Sequence, residues 1–239
     1  MRRLIVSMDA IAAIREGRKE REPDPVAAAS VAELAGADGI AIHLRMDKKH
    51  IRERDLYILR ETVKTKLNLY IAPNTDLVAR ALEVKPAEVT LVAERPGELT
   101  TEQGLDLHEH GDEVRGVVEQ LQAAGCRVFA VVEPEADSVK HAVKLGLDGI
   151  EIFANHYTEA KSQENVEAEL GRIAKTADAA KKAELMVRAS GGLGYANIVP
   201  VLSETAITEY VVGHNITSRA VMTGFDKAVR EMVEIVKFF

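Results

Sequence analysis

The chain has 239 residues, 46% of them hydrophobic, and a formal net charge of −7 at pH 7. That is enough for one large domain with a sizeable core, and it excludes a disordered chain. An acidic balance without a basic block argues against nucleic acid and against an anionic membrane surface as partners, while small anions held by local groups stay open.

In chain order, the first apolar run is RLIVSMD (3–9), a strand whose far end carries Asp9. The stretch MRRLIVSMDAIAAIR reads as a strand rather than a secretory leader, because Asp9 and Arg15 interrupt it. A charged loop with two prolines, EGRKEREPDPV (16–26), follows, and then a helical pattern over Val26–Ala35. The second strand, GIAIHLR (39–45), ends on His43 and Arg45, with His50 in the loop beyond. Helical spacing covers Glu53–Val63, the third strand is LNLYIAP (67–73), and a short helix covers Asp76–Leu82. The fourth strand, EVTLVAE (88–94), leads into a polar insertion, TTEQGLDLHEHGD (100–112), long enough to suggest a functional or interfacial loop. His108 and His110 flank Glu109 there, but no matching ligand cluster accompanies them, so no metal site is assigned. Helical periodicity over Glu113–Ala124 precedes RVFAVVE (127–133); the lone cysteine, Cys126, sits just before that strand as a small hydrophobe. A single cysteine makes no internal disulfide and fits a cytoplasmic protein. The sixth strand, GIEIFAN (149–155), carries Glu151, with helices expected over Ala136–Leu145 and Val166–Lys182 on either side. The last two strands are LMVRAS (185–190) and EYVVGH (209–214), and a final helix is expected over Ser218–Val236. No apolar stretch reaches the length of a membrane span.

Strand and helix thus alternate eight times, and no Pro/Gly/Ser-rich linker divides residues 1–239. The near-continuous apolar strands suit a parallel sheet covered on both faces. The count predicts a single (β/α)8 barrel domain; a doubly wound open sheet is the alternative, although such sheets more often have five to seven strands. AGADGIAIHLR (35–45) echoes LGLDGIEIFAN (145–155), as a recurring βα unit would.

Two glycine turns, SGGLG (190–194) and GHNITSR (213–219), follow strands seven and eight. In this barrel class those turns often hold phosphate, because free N–H groups at a helix start face the anion and glycine lets the backbone approach. The spacing therefore predicts a phosphorylated small molecule bound near Gly192, Gly213 and His214. Arg18 and Arg45 are candidates for a second phosphate.

The segments PDPVAAASVAELAGADGIAIHLRMDKKHIRERDLYILR, LTTEQGLDL, GIEIFANHYTEA and VVGHNITSRAVMTG, with MDAIAAIR near the start, resemble the pyridoxine 5'-phosphate synthase family over nearly the whole chain. The resemblance implies a (β/α)8 TIM barrel with extra helices that assembles into a homo-oligomer, an octamer built from dimers. It implies the joining of 1-deoxyxylulose 5-phosphate to 3-amino-2-oxopropyl phosphate, with no metal or organic cofactor. On this resemblance Asp9, Arg45, His50 and Thr100 contact the first substrate, and Arg18, Gly192, Gly213 and His214 contact the second. His43 is the acid/base histidine, and Glu151 stabilises the transition state.

Other positions depart from the family pattern. Where N-L-E is usual in strand three the chain has NLY, so Tyr70 stands at a catalytic glutamate position. Gly191 stands at a catalytic histidine position, Ala10 replaces the histidine of N-x-D-H, and Phe153 lies within EIFAN where E-I-H-T-G is usual. A tyrosine phenol, with an ordinary pKa of ~10, is a poor base at neutral pH, and glycine and alanine transfer no proton. From these substitutions a diverged homologue is expected, acting on a related phosphorylated carbonyl compound with His43 and Glu151. The alternatives are the family reaction itself, with Tyr70 or His156 as a substitute, and a non-catalytic binder of a phosphate ligand.

Overall fold

The computed structural model describes every residue except Pro96, Leu99 and Thr205. Eight parallel strands close into a barrel in chain order: β1 (Arg3–Ser7), β2 (Gly39–His43), β3 (Leu67–Ile71), β4 (Glu88–Leu91), β5 (Arg127–Val132), β6 (Gly149–Phe153), β7 (Met186–Ser190) and β8 (Glu209–Val212). The (β/α)8 expectation is met, and the open-sheet alternative falls, because β8 pairs with β1 through Leu4↔Tyr210 and Ile5↔Val211.

Around the barrel run α1 (Asp9–Arg18), α2 (Pro25–Leu34), α3 (Glu53–Thr62), α4 (Thr75–Val84), α5 (Gly111–Ala123), α6 (Ala136–Lys144), α7 (Asn155–Glu159), α8 (Gln163–Lys182), α9 (Ile198–Leu202), α10 (His214–Thr223) and α11 (Phe225–Phe238). Local chemistry sets several starts. The Asp24 carboxylate accepts from the Val26 N–H, with Pro25 in the first turn, and Asn74 and Ser162 cap α4 and α8 in the same way. Three helices go beyond the sequence pattern. α1 takes in the front of the charged 16–26 stretch, and α7 and α9 are five residues each, too short for a periodic signal. The expected helix over 218–236 is two helices, broken at Gly224 with φ 87°. The 100–112 insertion folds back on the barrel: the Gly104 N–H donates to Glu133 Oε1 at 2.8 Å and the Leu105 N–H to the Val131 carbonyl at 2.7 Å.

Side chains alternate in and out along each strand. The outward sets form the main apolar layer against the helices. Inside, the strand starts carry charge. Arg188 of β7 is fully buried; its Nε donates to Glu209 Oε2 at 2.6 Å, and its Nη2 binds Glu88. Lys66 Nζ reaches Glu209 at 2.5 Å and Glu88 at 3.3 Å, and Arg127 reaches Glu88 at 2.5 Å. The Arg188 guanidinium also lies 3.5 Å from the centre of the Phe129 ring. Gly149 makes room for that ring, since a Cβ there would stand 2.5 Å from it. Burial pushes the Glu209 carboxyl upward, but Arg188 and Lys66 outweigh it and hold the group at about 2.

Removing Arg188 takes away the one fully buried cation that Glu88 and Glu209 share and leaves them to Lys66, Arg127 and Arg3. Arg188→Leu is expected to destabilise the protein by about 3–5 kcal/mol, the cost typical of removing one partner of a buried ion pair. Urea unfolding at neutral pH measures it, and a loss under about 1 kcal/mol would mean that the carboxylates are solvated rather than paired.

Candidate functional site

The far ends of the strands hold the expected polar residues, and Asp9 organises one side. It opens α1 rather than ending the strand. Its Oδ1 accepts the backbone N–H of His43 at 2.8 Å, and its Oδ2 accepts the Ser7 hydroxyl at 2.9 Å. His50 Nδ1 lies 3.9 Å from Asp9 Oδ1 but accepts the Ile51 N–H at 2.9 Å, so a neutral His50 carries its proton on Nε2. The His43 and His50 rings are 6.0 Å apart.

His43 is 7% exposed, and its Nε2 has no partner among the described residues. Burial, with smaller effects from the charges around it, pulls its pKa down to about 4. Its imidazole is therefore neutral at pH 7, with a ring nitrogen free to exchange a proton.

Tyr70 and Glu151 cross the barrel axis toward each other. The Tyr70 hydroxyl donates to Glu151 Oε2 at 2.6 Å. Glu151 is fully buried, and its Oε1 is unpartnered among the described residues. Burial raises the Glu151 pKa, opposed chiefly by Arg188 one strand away, the two being register partners. Burial and the Glu151 charge raise the Tyr70 phenol well above its ordinary value. The Tyr70 ring, 6.4 Å from that of His43, touches Ile5, Ala41 and Val211 on one side and Val92, Val131 and Phe153 on the other. The mouth thus has a polar half, Asp9, His43 and His50, and an apolar half.

The glycine turns close the third side. Gly191 and Gly192 both have positive φ, 89° and 65°. A Cβ on Gly191 would lie 2.9 Å from the Phe153 ring, and one on Gly192 would lie 2.2 Å from Thr158 Oγ1. Phe153 therefore fills the space that a side chain at 191 would need. Asn197, which no sequence motif singles out, holds the turn from below by accepting the Gly194 N–H at 2.7 Å and donating to the Gly192 carbonyl at 3.1 Å. Contrary to the reading of this turn as a helix start, it does not open directly into a helix; α9 starts four residues later at Ile198. Gly213 does open α10, leaving the His214 and Asn215 N–H groups without helical acceptors. A Cβ at Gly213 would meet Ser7 at 2.9 Å, which brings β8 against the end of β1.

The remaining candidates are arranged otherwise than expected. Arg45 is 2% exposed and committed to carboxylates: Asp47 at 3.1 Å through Nε and Nη2, Glu98 at 2.9 Å and Glu94 at 3.6 Å. Its guanidinium is thus occupied by carboxylates, two of which, Glu94 and Glu98, lie far away in sequence. Arg18 lies exposed in the last turn of α1 and Thr100 exposed beyond β4, and neither bonds to a described site residue. His156 is exposed on α7, its Nε2 3.6 Å from Glu133 Oε2. His108 stacks edge-on against His141 at 5.2 Å, and among the described residues no group of three or more His, Cys, Asp or Glu is set to hold a metal ion. A cavity of about 520 Å³ lies over the β3–β4 rim, lined by Asn74, Glu94, Arg95, Asp106 and His110. His43, Tyr70 and Glu151 are not among its lining residues.

The whole chain has known relatives. Residues 4–238 match the family described as pyridoxal phosphate biosynthesis protein PdxJ. The chain is 48% identical over 238 residues to a protein of Citrifermentans bemidjiense and 49% identical to one of Geotalea daltonii, covering 100% of both partners in each case; both are named pyridoxine 5'-phosphate synthase. Among solved structures, the 4-hydroxy-2-oxoglutarate aldolase/2-deydro-3-deoxyphosphogluconate aldolase from TTHB1 superposes with a TM-score of 0.65 at 17% identity, over 98% of this chain and 94% of that one, a likeness of fold alone.

Two measurements follow from the geometry. A histidine held near 4 and free near 6.5 binds its proton in the unfolded chain first, so its stabilising contribution is complete above pH 6.5 and is lost as pH falls toward 4. The loss is on the order of 3 kcal/mol, and His43→Asn should remove it from the pH dependence of urea unfolding; an unchanged slope would show His43 titrating normally. Gly191→Ala should cost about 1–3 kcal/mol from its positive φ and the Phe153 contact, and less in a Phe153→Leu background. Equal cost in both backgrounds would mean that the ring does not occupy that space.

Proposed function

The chain belongs to the PdxJ family, and on that premise we propose that it is a pyridoxine 5'-phosphate synthase, joining 1-deoxyxylulose 5-phosphate to 3-amino-2-oxopropyl phosphate. The observation that carries this reading is the 2.6 Å hydrogen bond from Tyr70 to Glu151 across the mouth, which supplies proton-transfer capacity where the family pattern has a glutamate. The reaction requires imine formation, loss of water and phosphate, and ring closure, each with a proton to move. Neutral His43, with an open Nε2, serves as base. Glu151, whose burial keeps its proton to higher pH than an ordinary carboxylate, serves as acid, with Tyr70 orienting it and relaying the proton. The amides around Gly192, Gly213 and His214 hold one phosphate. Arg18, Arg45, His50, Thr100 and Asp9 are assigned to the substrates as the family pattern has them, Arg45 after release of one carboxylate partner. The homo-oligomer that the resemblance implies belongs to the same reading, supported by the exposed Val221 and Met222 on α10.

One observation favours a second reading. Phe153, Val92, Val131 and the Tyr70 ring form an apolar wall, and Gly191 carries no group at all. A diverged homologue would use this mouth for another phosphorylated carbonyl compound through His43 and Glu151, or would hold a ring phosphate without turning it over.

The deciding experiment supplies both substrates and follows pyridoxine 5'-phosphate and released phosphate. Turnover is expected, with kcat falling about 10²–10⁴-fold in Tyr70→Phe and KM little changed. Tight phosphate-ligand binding without product from the unmodified protein would establish the second reading instead.

A further inference from the structure

The two glycine turns are tied to each other by one side chain. Asn215, second residue of α10, donates its amide Nδ2 to the Gly192 carbonyl and to the Leu193 carbonyl, each at 3.0 Å. The approach is close: a Cβ on Gly194 would stand 2.6 Å from Asn215 Cγ and Nδ2. Gly194 has none of the positive φ of Gly191 and Gly192, so what its missing Cβ provides is space for the asparagine. On its other side the turn is held by Asn197, and the Asn197 carbonyl accepts the Tyr157 hydroxyl of α7 at 2.6 Å.

We propose that Asn215 is a positioning residue that locks the 190–194 turn onto the start of α10, so that both sets of amides face one phosphate. Two adjacent positive-φ glycines carry no side chains to hold their own conformation, and glycine has the largest entropy to lose on ordering. Bonding the Gly192 and Leu193 carbonyls to Asn215 fixes the orientation of two planar peptide units, and with it the direction of the Leu193 N–H, while the Gly194 N–H is taken by Asn197. Asn215 thereby sets the angle between the turn and the helix start whose free N–H groups it shares. This rests on the phosphate reading of that site.

The probe is inorganic phosphate, titrated by calorimetry into the unmodified protein and into Asn215→Ala, Gly194→Ala and the double variant. Losing the shared hydrogen bonds should weaken phosphate about tenfold, equivalent to ~1.4 kcal/mol. Gly194→Ala, which displaces the asparagine but keeps its amide, should lose a similar factor, and the double variant should lose no more than either single one. In steady-state kinetics KM should rise for the one substrate whose phosphate sits there, with kcat and the other KM nearly unchanged; a general loosening of the fold would move all of them. Unaltered phosphate affinity in Asn215→Ala, or additive losses in the double variant, would overturn the positioning role. Absence of phosphate binding by the unmodified protein would instead overturn the phosphate reading, and this one with it.

Discussion

The buried Arg188 guanidinium is the interaction on which barrel and mouth both depend. It neutralises Glu209 and Glu88 inside the barrel, joining β7 to β8 directly and to β4 across the interior. A charge without such partners would not survive there, since desolvation costs several kcal/mol per ion. The same guanidinium is register partner to Glu151, one strand away, and offsets part of the burial that raises the Glu151 pKa. One side chain thus balances the charge of Glu88 and Glu209 and offsets part of the burial of Glu151.

Above that layer the mouth is divided by chemistry. Asp9 holds the backbone of His43 and stands beside His50, so three titratable groups share one flank. Opposite them, Phe153, Val92 and Val131 pack against half-buried Tyr70, whose hydroxyl meets the fully buried Glu151. Low local dielectric makes that hydrogen bond stronger and keeps His43 neutral by the same desolvation. Residues 70, 153 and 191 act together: the phenylalanine ring sits where a residue-191 side chain would go, and the tyrosine reaches the glutamate from the third strand.

Legibility in the sequence followed the range of the interactions. All eight strands were readable, because strands covered on both faces must be apolar almost throughout. Asp9, His43, Glu151, Gly192 and Gly213 were legible as site candidates, because the ends of parallel strands face one mouth. α7 and α9 were not, being shorter than two helical turns. Neither was the capture of Arg45 by Asp47, Glu94 and Glu98, two of which lie about fifty residues away.

The sequence by itself determined the alternation of strands and helices, the barrel they close into, the family, and the residue types offered at the strand ends. Those are local or periodic properties, carried by neighbours along the chain. Only the tertiary structure decided what each side chain meets there. It joined Tyr70 to Glu151, set Phe153 against Gly191, occupied Arg45 and tied Asn215 to the turn after β7. Each of these contacts crosses the barrel or links one strand-end loop to another. Closure of the sheet sets which residues face one another at the mouth, and no pattern in the linear order specifies it.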